Sequence, residues 1–95
     1  MIYLLLPNTA LFVEFIADKN MFYILNKHHV VKLSAHLDSN SNIIELTVFD
    51  SLGNVLKHYI SNNERMFFEI LFISERELTL KVLNRYCKIE KVRFL

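Results

Sequence analysis

The sequence is short of the residues that build reactive or phosphate-cradling sites. Gly53 is its only glycine. A P-loop or a dinucleotide-binding turn needs several, so neither is encoded. Cys87 is the only cysteine, which excludes an internal disulfide and a thiolate zinc cluster. Its thiol reads as chemically indifferent. Charge of one sign is also missing: 11 basic and 10 acidic residues leave a formal charge of +1. Without a basic footprint, no nucleic-acid partner is expected. No uncharged apolar run reaches the length of about 18 residues that a membrane-spanning helix needs, and no membrane insertion by this segment is expected. The apolar start, residues 1–15, lacks a basic leader and is interrupted by Pro7, Asn8, Thr9 and Glu14. It reads as strand–turn–strand rather than as a secretion signal.

What is present is a strand pattern from end to end. The 95 residues make one domain, 1–95. Apolar residues reach 53%, above the usual range of about 45–50%. That opposes disorder and leaves apolar surface for a partner to cover. Apolar, β-branched and aromatic runs predict strands at residues 2–6, 11–17, 21–25, 30–37, 43–49, 55–60, 66–73, 78–83 and 88–94. Between them lie clusters rich in Asn, Asp, Ser or charge, including Asn84 to Tyr86. Val31, Leu33, Ala35 and Leu37 alternate with Lys32, Ser34 and His36, which places the first four on one face and the others on the opposite one. Leu78, Leu80 and Val82 form another row. A helix over residues 64–83 is the competing reading, and the period-2 rows outvote it. No internal repeat or linker stands out. The fold class expected is all-β: an antiparallel sandwich of about eight short strands, jelly-roll-like.

Catalytic and metal constellations do not assemble. On an extended strand His28 and His36 share a face but lie about 26 Å apart, at roughly 3.3 Å per residue. His29 points to the other face, and His58 is distant in sequence. No metal site and no cofactor are expected. Glu14, Glu45, Asp50 and Glu69 have no spacing that forces two carboxylates together, so cross-strand pairing with Lys or Arg is the default. No serine sits in a nucleophile elbow, because the flanking glycines are missing. The sharpest local signal is Asp50-Ser51-Leu52-Gly53-Asn54. Asp50 can bond the turn backbone and Gly53 can take a positive φ, closing a hairpin that Asn54 completes. Mixed-face apolar residues Phe22, Tyr59, Phe67 and Leu71 are the candidate interaction surface.

Several of these pieces, read in order, resemble the Golgi-dynamics (GOLD) luminal domain of the TMED transmembrane cargo receptors. Ile2-Tyr3-Leu4-Leu5-Leu6-Pro7-Asn8 resembles its first strand and turn. Phe12-Val13-Glu14 resembles its aromatic-aromatic-Glu stretch. Ile44 to Leu56, with Asp50, Gly53 and Asn54, resembles its strand–turn–strand. Met66-Phe67-Phe68-Glu69 resembles its Phe-x-Phe strand. Leu80 to Asn84 and Lys91-Val92-Arg93-Phe94 resemble its closing pair. The family disulfide positions fall near Leu11 and Lys81, neither of them cysteine, and Ser51 replaces the turn proline.

The resemblance implies a non-enzymatic module in vesicle-mediated transport, residing in the lumen of the endoplasmic reticulum, the Golgi or transport vesicles. Homo- or hetero-oligomerisation with related domains, and recognition of luminal cargo protein, are the implied partnerships. The family's coiled coil and membrane segment are not within these 95 residues, so the chain reads as an excised luminal domain or a shortened relative. The alternative is a lipocalin-like up-and-down barrel that binds a small apolar ligand. A closed meander around a cavity would favour that carrier; two packed layers with a filled core would favour the interaction module.

Overall fold

Strand residues fold here because their apolar rows have period two. A computed structural model describes residues 3–62, 65–83 and 87–94 of the chain. It contains nine antiparallel strands: β1 (Tyr3–Leu5), β2 (Phe12–Ile16), β3 (Met21–Leu25), β4 (Val31–Leu37), β5 (Ile43–Phe49), β6 (Val55–Ile60), β7 (Phe67–Ile73), β8 (Glu77–Leu83) and β9 (Lys88–Arg93). Each falls within a residue or so of its expected place. Ala17, expected in a strand, instead opens a short 3-10 turn, Ala17–Lys19, that joins β2 to β3. The expected break at Asn84 to Tyr86 lies outside the described residues, as does Ile2.

The strand order is β1-β2-β3-β4-β5-β7-β8-β9, with β6 paired to β5 beside this path. β6 runs along Glu45–Phe49 of β5, and β7 touches the same edge of β5 only at Ile43, opposite Phe68. β6 and β7 thus follow one another along that edge, and the chain leaves the first layer between them. Strands that switch layers through a bend make the corner of a sandwich. The sheet stays open, with β1 and β9 at the two ends of the path.

One core lies between the layers. Val13, Ile24, Leu33, Ala35, Leu46 and Val48 come from β2–β5, and Phe68, Leu78, Leu80, Val82 and Val92 from β7–β9. Leu11, Leu33, Leu46, Leu78 and Leu80 are wholly removed from solvent. Burying each such side chain contributes about 1.5–3 kcal/mol. Of the two topologies set against each other above, the meander order suits the carrier, while the open sheet and filled core suit the sandwich. Leu11 faces the core, whereas Lys81, between buried Leu80 and Val82, turns to the opposite face of its strand.

The first layer is stitched by a turn used three times. Asn26 Oδ1 accepts the amides of His28 and Val30, Asp38 Oδ1 those of Asn40 and Asn42, and Asp50 Oδ1 those of Leu52 and Asn54. The fourth residue of each turn has positive φ: His29 at 61°, Ser41 at 64° and Gly53 at 84°. Asn26, Asp38 and Asp50 are twelve residues apart, so a short period does exist in the sequence, carried by the turns rather than by the strands.

Four β-bulges break the strict alternation, between Ile24/Leu25, His36/Leu37, Val48/Phe49 and Ile70/Phe72. The first of these opposes Leu25 to Val31 and Ile24 to Leu33, leaving Lys32 as the extra residue. A bulge re-aims side chains, and Lys32, expected on the solvent face, is buried next to Leu33. The fourth bulge leaves Leu71 unpaired and exposed.

Candidate functional site

The residues singled out from sequence fall in three places. Asp50, Gly53 and Asn54 form the β5–β6 turn just described, with Asn54 closing it through its carbonyl to the Asp50 amide at 2.9 Å. Phe22 and Phe67 come together across the two layers, lining one groove with Asn42, Ile43 and Leu83. The Phe22 ring also packs on Phe15, centroid to centroid 5.8 Å. Tyr59 does not join them. Its ring packs on Phe68 at 5.8 Å, and its hydroxyl donates to Glu90 Oε2 at 2.6 Å, tying β6 to β9. Burial and the Glu90 carboxylate push the Tyr59 phenol well above its usual range. Leu71, at the β7 bulge, is exposed and lines none of the grooves described here.

The carboxylates and histidines are dispersed. Glu45 pairs with His58, Oε2 to Nε2 2.9 Å, on an exposed face of the first layer. Glu90 is held below the usual carboxylate range by Lys88, 2.8 Å away, and by the Tyr59 hydroxyl. His28 and His29 sit in the β3–β4 turn, not on a strand. Among the described residues no three His, Cys, Asp or Glu side chains gather into a metal-binding group. None of their helices is long and apolar enough to cross a membrane.

Two features were not visible in the sequence. The first is an unprotected edge. β1 carries no charge, while β9 carries Lys88, Glu90, Lys91 and Arg93, and β6 carries Lys57 and His58. Charged side chains along an edge strand discourage pairing with another chain, and β1 has none. Leu4 pairs with core residue Val13, and Phe15 lies two residues along the same face, yet they are 53% and 53% exposed. The inner face of the first layer therefore runs on past the cover of the second.

The second feature is a cleft of about 330 Å³ at one end of the sandwich, lined by Ala10, Leu11, Asn26, Lys27, His28, Lys32 and Glu75. Lys32 is only 9% exposed, and its ammonium lies 4.8 Å from the centre of the Phe94 ring. Among the described residues no carboxylate lies within ion-pair distance of it. Glu75, the one acid of the cleft, accepts the Ala10 amide through Oε1, and this bond holds its carboxyl below the usual range.

Comparison with known proteins finds no matching family model, no matching curated protein and no matching solved structure.

Proposed function

We propose that this chain is a non-enzymatic association domain that pairs with a second copy of itself through β1. The observation that carries the proposal is the uncharged edge of β1 continuous with exposed Leu4 and Phe15. Antiparallel pairing of β1 with its counterpart about a two-fold axis would satisfy the open backbone edge of both copies. The same contact would cover Leu4 and Phe15. The one carboxylate–histidine pair among the described residues, Glu45 with His58, lies on an exposed strand face, as a solvent-face ion pair does.

The narrower form of this proposal is a cargo-receptor domain of the secretory pathway, self-associating or holding luminal cargo. It rests on the strand motifs that resemble the TMED luminal domains. Hetero-association with such a domain, measured by sedimentation of the mixed proteins, tests that narrower form.

Sedimentation equilibrium tests the broader one. The native chain should show a concentration-dependent dimer, and Leu4→Lys should remain monomeric with an unchanged circular dichroism spectrum. A native chain that stays monomeric at millimolar concentration, or a Leu4→Lys variant that dimerises equally well, defeats the proposal.

A further inference from the structure

The edge of β9 is as charged as that of β1 is bare. β9 pairs with β8 and ends the strand path, so no described strand meets its other side. β6 reaches it from the inner face, where the Tyr59 hydroxyl donates to Glu90. Three of its six residues are cations and one is an acid.

The fold leaves part of that positive charge unmatched. Glu90 is engaged by Lys88, 2.8 Å away, and by Tyr59. Lys91 and Arg93 are both exposed, and neither is in an ion pair among the described residues. They share the outer face with Ile89, which is 57% exposed, because alternate residues of a strand point the same way. On β8, Ile89 stands beside Lys81, Lys91 beside Thr79 and Arg93 beside Glu77. Lys81 in turn faces Glu69 of β7. At the Arg93 end, Arg76 and Arg93 line one groove with a single acid, Glu77. The outer face along β9 therefore carries an excess of positive charge around one apolar position.

Charge on an edge decides which strand can pair there. A second copy of β9 would bring cations near cations, which disfavours self-pairing. A strand of opposite charge meets no such cost, and opposed charges across a strand pair are favourable. Lipid headgroups would meet the cations but offer no row of backbone groups to the open edge.

We propose that β9 accepts an extended acidic segment of another protein as an added antiparallel strand. The pairings of this sheet are antiparallel, and parallel pairing is slightly less stable per residue. Antiparallel addition fixes the order: read from its N-terminus, the partner meets Arg93, then Lys91, then Ile89. Its pattern is therefore acid-x-acid-x-apolar, one carboxylate for each cation and an apolar side chain to cover Ile89. Main-chain bonds supply the affinity and alternate side chains the selection. The inference does not depend on β1 pairing, since the two edges lie at opposite ends of the strand path.

The test is a titration of the labelled chain, followed by nitrogen–proton correlation spectra, with the capped peptide Thr-Glu-Thr-Glu-Thr-Val-Thr. It should give saturable shifts at Ile89, Lys91 and Arg93 and leave Leu4 unmoved. Its counterpart with Gln for both Glu should bind about fivefold more weakly, the loss expected for two cross-strand charge pairs. Lys91→Glu combined with Arg93→Glu should reverse the preference, so that a peptide with Lys for both Glu binds better than the acidic one. If that variant loses its dispersed spectrum, the native chain decides instead, and should rank the peptides acidic over neutral over basic. Three results overturn the proposal: no saturable shift at millimolar acidic peptide, equal affinity for the Gln peptide, or shifts that fall on β1. A fourth is a β9 response to phosphatidylserine vesicles without one to the peptide, which would make this edge a lipid-binding one.

Discussion

Replacing Gly53 by alanine isolates a backbone cost with almost no steric one. Gly53 has φ +84°, and a Cβ built there meets no atom within 4 Å. The penalty is therefore the left-handed conformation alone, about 1–2 kcal/mol for an ordinary L-residue. Part of it is offset, because alanine restricts the unfolded chain by about 0.4–1 kcal/mol. The expected net loss is about 1 kcal/mol. The sister turns support so modest a value, since Ser41 and His29 occupy the same fourth position at φ 64° and 61°. Glycine at 53 is thus favoured rather than obligatory.

In a domain of this size about 1 kcal/mol lowers Tm by about 4–8 °C. Thermal unfolding followed by circular dichroism should find that drop for Gly53→Ala and a smaller one for Gly53→Asn, because asparagine tolerates the left-handed region. The reciprocal change, Ser41→Gly, should leave stability unchanged or raise it. A loss above about 3 kcal/mol for Gly53→Ala would refute the reasoning, because it exceeds what backbone conformation alone costs. An unchanged Tm would refute it equally, since it would mean the left-handed turn is not populated.

Other perturbations separate the parts of the fold. Leu80→Ala empties a wholly buried site and should cost about 2–5 kcal/mol in urea denaturation, whereas Leu52→Ala, at 84% exposure, should stay within about 0.5 kcal/mol. Tyr59→Phe keeps the packing on Phe68 but removes the hydroxyl that donates to Glu90. It should cost about 0.5–1.5 kcal/mol. In an alkaline absorbance titration of the native chain, a phenol should ionise above the usual tyrosine range, and that step should be missing in this variant. Asp38, Asp50, Glu75 and Glu90 are all held below their usual values, mainly by hydrogen bonds to the charged form. A folded chain that binds protons less readily than the unfolded one is stabilised above the unfolded value of about 4 and loses that stability as pH falls through the lower folded values. The urea midpoint should therefore decline on acidification below about pH 4, and a midpoint that rises there would contradict the assigned bonds.

The strands were legible because each needs only local information, an apolar row of period two bounded by turn residues. β4 and β8 illustrate it: Leu33 and Ala35, then Leu78, Leu80 and Val82, are buried where alternation puts them. The limit is equally local. A bulge adds one residue to one strand, and it is decided by the neighbour's register, which no single strand encodes. Lys32 therefore reads as a solvent-facing lysine between Val31 and Leu33, and only the pairing of Leu25 with Val31 turns it inward. The edge of β1 is hidden for the same kind of reason. Leu4 is an ordinary strand leucine until the second layer stops short of it. Lys32 and the edge of β1 both lie where pairing, rather than composition, decides what a side chain meets. The edge of β1 is also a place where the folded chain leaves a chemical demand unmet: an open backbone edge beside exposed leucine and phenylalanine. A strand sequence written to protect its edges would have placed a charge in β1. This one does not, and that departure, not the strands that follow the pattern, is where self-association is proposed.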